Sequence, residues 1–172
     1  MIGFTQRETV VLTRTSSSRL AYLAKTGIVT PHGHADSPAD LSHADGNCRD
    51  DWRYDWEQIL ELRAINHLRQ KMSLQTIRKI VAFLEIHGSD RCLHNKQLIV
   101  TDHAVDWVKP HPNTQLPQIV QVVGPANKHV GQFKLPAIPS VASLVNEVWD
   151  AARRSNVIDF ERFQQRARTP DN

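Results

Sequence analysis

Between Pro31 and Asp51 the chain reads PHGHADSPADLSHADGNCRDD, and this stretch limits the possible folds more than any other feature. Pro, Gly, Ser, Asp and Asn dominate it, so it reads as a loop rather than a helix or strand. It separates two segments with helical periodicity, so the N-terminal half is expected to be two helical pieces joined by a long polar insert. The insert also divides the charge. Residues 1–31 carry Arg7, Arg14, Arg19 and Lys25 against Glu8, a balance of +3. Residues 32–51 carry Arg49 against Asp36, Asp40, Asp45, Asp50 and Asp51, a balance of −4. Residues 52–84 return to +3, and the remaining 88 residues hold +1. Two basic blocks flanking an acidic loop point to a polyanion partner for the basic head.

Several classes are set aside on simple grounds. The 172 residues suffice for one domain or two small ones with a real core. Two cysteines, Cys48 and Cys92, cannot form a disulfide framework, which is the pattern expected of a protein in a reducing cytoplasm. Apolar runs such as Ile80 to Leu84 are far too short to cross a membrane. The opening MIGFTQRET has no basic flank followed by an apolar stretch, so no signal peptide is expected. The chain lacks a Gly-x-Ser-x-Gly elbow, a phosphate-cradling Gly loop and a His-Glu-x-x-His pair. The neighbours Asp102 and His103, with Asp106 close by, read as turn chemistry. No enzyme activity and no catalytic residue are expected. His32, His34, His43 and Cys48 have the ligand types zinc prefers. Their spacing fits no closed module, so no metal and no cofactor are expected.

Residues 5–27 read as two short helices with a tight turn. Thr5 followed by Glu8 forms a capping box. Val10, Val11 and Leu12 are expected to give the first helix its apolar side, ending near Thr13 with the turn at Arg14-Thr15. Ser16 is the natural N-cap of a second helix from Ser17 to about Lys25. Gly27 suits a left-handed cap, and Pro31 prevents the helix resuming. On the second helix Leu20, Leu23 and Ala24 share one side, while Ser18, Arg19, Tyr22 and Lys25 share the other. Hydroxyls, a guanidinium, a phenol and an amine suit base edges and phosphates in a DNA major groove. Beyond the insert, Ile59, Leu62, Ile65, Leu68 and Met72 predict a helix from about Trp56 to Lys71. Ser73 caps the next, with Leu74, Ile77, Val81 and Leu84 as its seam.

The stretch FTQRETVVLTRTSSSRLAYLAKTGIVTP, Phe4 to Pro31, resembles the helix-turn-helix of the MerR family of transcriptional regulators without a gap. Thr5, Glu8, Leu12, Thr13, Ser16, Leu20, Tyr22, Gly27, Ile28 and Pro31 stand at matching places. Arg14 replaces the turn Gly, Ala21 replaces the Arg of the recognition helix, and Leu23 replaces its second Tyr. Arg19, on the adjacent exposed face, is the substitute for the missing Arg. RYDWEQILELRAINHLRQKMSLQTIRKIVAFL, Arg53 to Leu84, resembles the family's wing end and second helix pair, with Tyr54 in the place of the Tyr that closes the wing. The resemblance covers about half the chain. It implies a winged helix-turn-helix with the insert 32–51 as its wing.

After Gly88 the sequence reads as short strands. Leu98 to Val108 forms a hairpin with Asp102-His103 at its turn, and Gln118 to Val123 and Gly131 to Leu135 add two strands. Ser140 caps a helix carrying Val141, Leu144, Val145, Val148 and Trp149, and Asp159 to Arg166 adds a short basic one. The long coiled-coil helix of metal- and drug-sensing relatives is missing. The tail is instead similar to that of small MerR-type repressors, some of which accompany type V-K CRISPR-associated transposons. The expected fold is therefore α+β: a winged helix-turn-helix over 1–87 and a small strand-rich dimerisation or interaction module with a C-terminal helix over 96–172. Trp107, Phe133 and Trp149 are equally candidates for interface or core. The expected function is sequence-specific recognition of operator DNA by a homodimer, most simply a cytoplasmic repressor. The DNA-binding candidates are Arg14, Ser16, Ser18, Arg19, Tyr22, Lys25, Arg49, Arg53, Tyr54 and Arg63. The rival reading is an antitoxin-like interaction module whose neutral tail binds a protein.

Overall fold

The computed structural model describes residues 3–32, 52–87, 90–100, 104–110, 117–124 and 138–167. In chain order the elements are β1 (Phe4–Thr5), α1 (Gln6–Thr13), α2 (Ser17–Lys25), β2 (Arg53–Tyr54), α3 (Trp56–Arg69) and α4 (Leu74–Ile86). They are followed by β3 (Gln97–Val100), β4 (Val105–Lys109), β5 (Gln118–Val123), α5 (Val141–Arg153) and α6 (Phe160–Arg166). Among the described residues this is a mixed α+β architecture of six helices and two small antiparallel sheets. No helix among them is long and apolar enough to cross a membrane.

The chain divides into two compact units, one of Met1–Arg63 with Val145–Asn172 and the other of Ala64–Leu144. This differs from the expected division into 1–87 and 96–172. The reason is aromatic packing in the first unit. Phe163 of α6 stands 5.8 Å from Phe4, 6.0 Å edge-on from Trp56 and 5.2 Å edge-on from Trp149. Such tilted and edge-to-face pairs are favourable beyond the area they bury. Trp149 belongs to this cluster and is half-buried.

In the first unit, β1 and β2 pair antiparallel, Phe4 opposite Tyr54 and Thr5 opposite Arg53. His32 extends the ladder: its amide donates to the Arg53 carbonyl at 2.8 Å and its carbonyl accepts from the Arg53 amide at 3.0 Å. The start of α3 is closed by a reciprocal cap, in which the Gln58 amide donates to Asp55 Oδ1 at 2.7 Å and the Asp55 amide to Gln58 Oε1 at 3.1 Å.

The second unit contains α4 and the sheet β3-β4-β5, antiparallel throughout. Ser73 Oγ accepts from the Thr76 amide at 3.1 Å, the expected cap. Ile77, Ile80, Val81 and Leu84 are the buried seam of α4, and Leu74 is only half-buried. β4 runs through the middle of the sheet with a bulge between Val105 and Asp106, and buries Val105, Asp106 and Trp107. Trp107 is therefore core of this unit. Lys96 and Lys109 lie over its ring at 6.0 and 5.3 Å. The expected Asp102-His103 turn, the Gly131 to Leu135 strand and Phe133 lie outside the described residues.

Candidate nucleic-acid interface

α1 begins where the sequence places it. Thr5 is extended (φ −68°, ψ 161°), the Glu8 amide donates to Thr5 Oγ1 at 3.3 Å, and the Thr5 amide donates to Glu8 Oε2 at 2.8 Å. Its buried side differs from the expected one. Thr9, Leu12 and Thr13 are buried, whereas Val10 and Val11 are half-buried and line a shallow cleft of about 410 Å³ with Gln6, Arg7, Ser17 and Val157. Threonine can take these inner positions because each hydroxyl bonds the carbonyl four residues earlier: Thr9 to Thr5 at 2.8 Å and Thr13 to Thr9 at 2.7 Å.

The connection to α2 turns on Arg14. Its φ of 55° and ψ of 35° put it in the left-handed region, alone in this among the described non-glycine residues. The backbone thus bends at a residue whose side chain is a cation. A non-glycine residue there costs about 1–2 kcal/mol, and such outliers concentrate where a side chain is needed for function.

Ser16 takes the N-cap position of α2, but its hydroxyl pairs with that of Ser18 at 3.2 Å and caps no helix amide. Leu20, Leu23 and Ala24 form the buried side of α2. Ser17, Ser18, Tyr22 and Lys25 are exposed, Tyr22 at 42%, and Arg19 is partly exposed. Arg14, Arg19 and Lys25 make no ion pair among the described residues. The far end of α2 is tied off by Thr26, whose hydroxyl donates to the Tyr22 carbonyl at 2.9 Å, and by Gly27 at φ 68°.

Two candidates are corrected. Tyr54 is 1% exposed, because adjacent strand residues face opposite ways: Arg53 is left half-exposed and Tyr54 turns into the core opposite Phe4. Its hydroxyl has no partner among the described residues, and burial pushes its pKa up to about 12. A group so placed contacts no phosphate. Arg63 is also buried. Its Nη2 and Nε reach Glu147 Oε2 at 2.6 and 2.7 Å, so its guanidinium is engaged inside the unit by α5. Arg53 stays at the base of the insert, with Nη1 donating to the Trp52 carbonyl at 3.1 Å. Arg49 lies outside the described residues, as do His34, His43 and Cys48. His32 Nε2 meets Asp55 Oδ2 at 3.0 Å.

One constellation escaped the sequence reading. Arg166 of α6 donates from Nη2 to Glu8 Oε1 at 2.7 Å and from Nη1 to Glu8 Oε2 at 3.0 Å. Nη1 also reaches the Gly3 carbonyl at 3.1 Å, and the guanidinium covers the Phe4 ring at 4.5 Å. The only available signal was the three-residue spacing of Phe163 and Arg166 on one helix face.

No protein-family model, curated protein or solved structure matches the chain.

Proposed function

We propose that the protein is a sequence-specific DNA-binding transcriptional regulator, most simply a homodimeric repressor at a promoter operator, of the kind found in small MerR-type proteins and their CRISPR-associated transposon relatives. In this reading α1 and α2 act as a helix-turn-helix, and the β1–β2 ladder with His32 is the base of a wing. The supporting observation is the division of α2: Leu20, Leu23 and Ala24 are buried, while Ser18, Tyr22 and Lys25 are exposed beside Arg14 and Arg19. Ser18, Arg19 and Tyr22 meet base edges. Arg14, Ser16, Lys25, Arg49 and Arg53 meet phosphates. One such head reads one half-site, so a second copy is required for a palindromic operator.

The test is binding to the DNA upstream of the protein's own gene beside mixed-sequence DNA, across a salt series. A preference of about a thousandfold or more at physiological salt supports an operator reader. Weak binding to both that fades together as salt rises refutes it and leaves only non-specific attraction.

A further inference from the structure

We propose that Arg166 is a positioning residue for the DNA-reading surface, so that the C-terminal helix sets the relation between α2 and the base of the insert. This rests on the reading of α2 as the recognition helix. Arg166 bonds both parts of that surface's support. It holds the residue leading into β1 through the Gly3 carbonyl at 3.1 Å and holds α1 through both oxygens of Glu8 at 2.7 and 3.0 Å. Its own side chain is 9% exposed and that of Glu8 is 13% exposed, so water does little to loosen the pair. Glu8 is at the same time the closing residue of the capping box, accepting from the Thr5 amide and hydroxyl at 2.8 and 3.0 Å. The carboxylate thus joins three groups: the strand that carries the ladder, the first turn of α1, and α6.

From this junction rigidity passes in two directions. Along α1 the Thr5, Thr9 and Thr13 hydrogen bonds lead to Arg14 and the start of α2. Across β1 the Phe4–Tyr54 and Thr5–Arg53 pairing leads to Arg53 and His32. The approach at Gly3 is close: an added Cβ would stand 2.9 Å from Arg53 Cβ and 3.0 Å from the Tyr54 carbonyl oxygen. Planar, two-pronged contact needs a guanidinium, and a lysine ammonium reaches only one carboxylate oxygen well.

The experiment uses the full chain as parent, Arg166→Lys and Arg166→Met, the last keeping an unbranched stem without charge. Each is measured well below its melting temperature, for affinity to the DNA upstream of the protein's own gene, taken as the operator, and to mixed DNA, and for amide hydrogen exchange over residues 5–25. The expected result is that Arg166→Met remains folded, speeds exchange at the start of α1 about tenfold, and loses about tenfold more affinity for operator than for mixed DNA. Arg166→Lys falls between the two. A role confined to stability would lower the melting temperature and leave the operator-to-mixed ratio unchanged, which overturns the proposal. Unchanged exchange over residues 5–25 in folded Arg166→Met also overturns it. A parent chain with no sequence preference refutes the DNA reading instead, and the exchange pattern then decides separately whether Arg166 holds α1.

Discussion

Arg14 joins a backbone cost to a proposed contact, and two substitutions separate them. Arg14→Ala and Arg14→Gly both remove the guanidinium, so they affect DNA alike and lose alike any attraction between the cation and the C-terminus of α1. They differ in what the left-handed φ of 55° demands. A side chain there costs about 1–2 kcal/mol. The greater freedom of Gly in the unfolded chain returns about 0.4–1 kcal/mol. The Gly variant should therefore be more stable than the Ala variant by roughly 0.5–1 kcal/mol. For a chain of this size that is about 1–4 °C in Tm. Thermal melting by circular dichroism measures the difference. Affinity for the operator is then followed by fluorescence anisotropy between about 50 and 200 mM salt. If Arg14 neutralises one phosphate, the slope of log affinity against log salt becomes shallower by about 0.9 in both variants. Equal Tm for Gly and Ala would refute the backbone argument. An unchanged slope would remove Arg14 from the interface.

Four further outcomes are expected. Arg19→Ala should cost roughly 1–3 kcal/mol on the operator and little on mixed DNA; equal losses on both would make Arg19 a phosphate contact. Tyr54→Phe should leave DNA affinity unchanged and raise stability by up to about 1 kcal/mol, since it removes a buried hydroxyl without a described partner; an affinity loss would return Tyr54 to the interface. Glu147→Ala strands the Arg63 guanidinium in the core and should cost about 3–5 kcal/mol in urea unfolding, so a loss under 1 kcal/mol, roughly the worth of an exposed pair, would contradict its burial. Burial pushes the Glu8 carboxyl up, but hydrogen bonds from Arg166 and Thr5, with the charge of Arg166, outweigh it and hold its pKa below the ordinary value. A lowered folded pKa stabilises above the unfolded value and is lost as pH falls through the folded one. The parent should therefore exceed Glu8→Gln in stability at neutral pH, and the gap should close in acid; a gap constant down to pH about 3 would refute this.

The helical part of the head was legible because its punctuation is local. The Thr5–Glu8 box, the break at Arg14-Thr15 and the cap at Ser73 each act within four residues, and the elements begin and end accordingly. Burial was less legible. A two-residue strand such as Arg53–Tyr54 is too short for a period, so which residue turns inward depends on its partner Phe4. Arg63 looked like a surface cation because Glu57 and Glu61, the acids near it in sequence, do not stand three or four residues away on its helix; Glu147 arrives 84 residues later. The Glu8–Arg166 pair spans 158 residues, and no local pattern announces a contact at that distance. Val10 and Val11 differ for the opposite reason, since hydrophobicity alone ranks them above Thr9 and Thr13 for the inner side, while threonines that bond their own helix are buried with their hydroxyls satisfied.

The division of the chain has a consequence for its birth. A unit made of Met1–Arg63 and Val145–Asn172 brackets the other, Ala64–Leu144. During translation the leading segment emerges first, yet Phe163 and Arg166, which close its core, are made about a hundred residues later. At roughly 5–20 residues per second that is a wait of about 5–20 s, long beside the microseconds in which helices form. Throughout it Phe4 and Trp56 lack their partner ring. The bracketed unit is complete sooner and has the opportunity to fold before the older part of the chain. Until α6 is made, the front of the chain presents to water the apolar rings that Phe163 later covers.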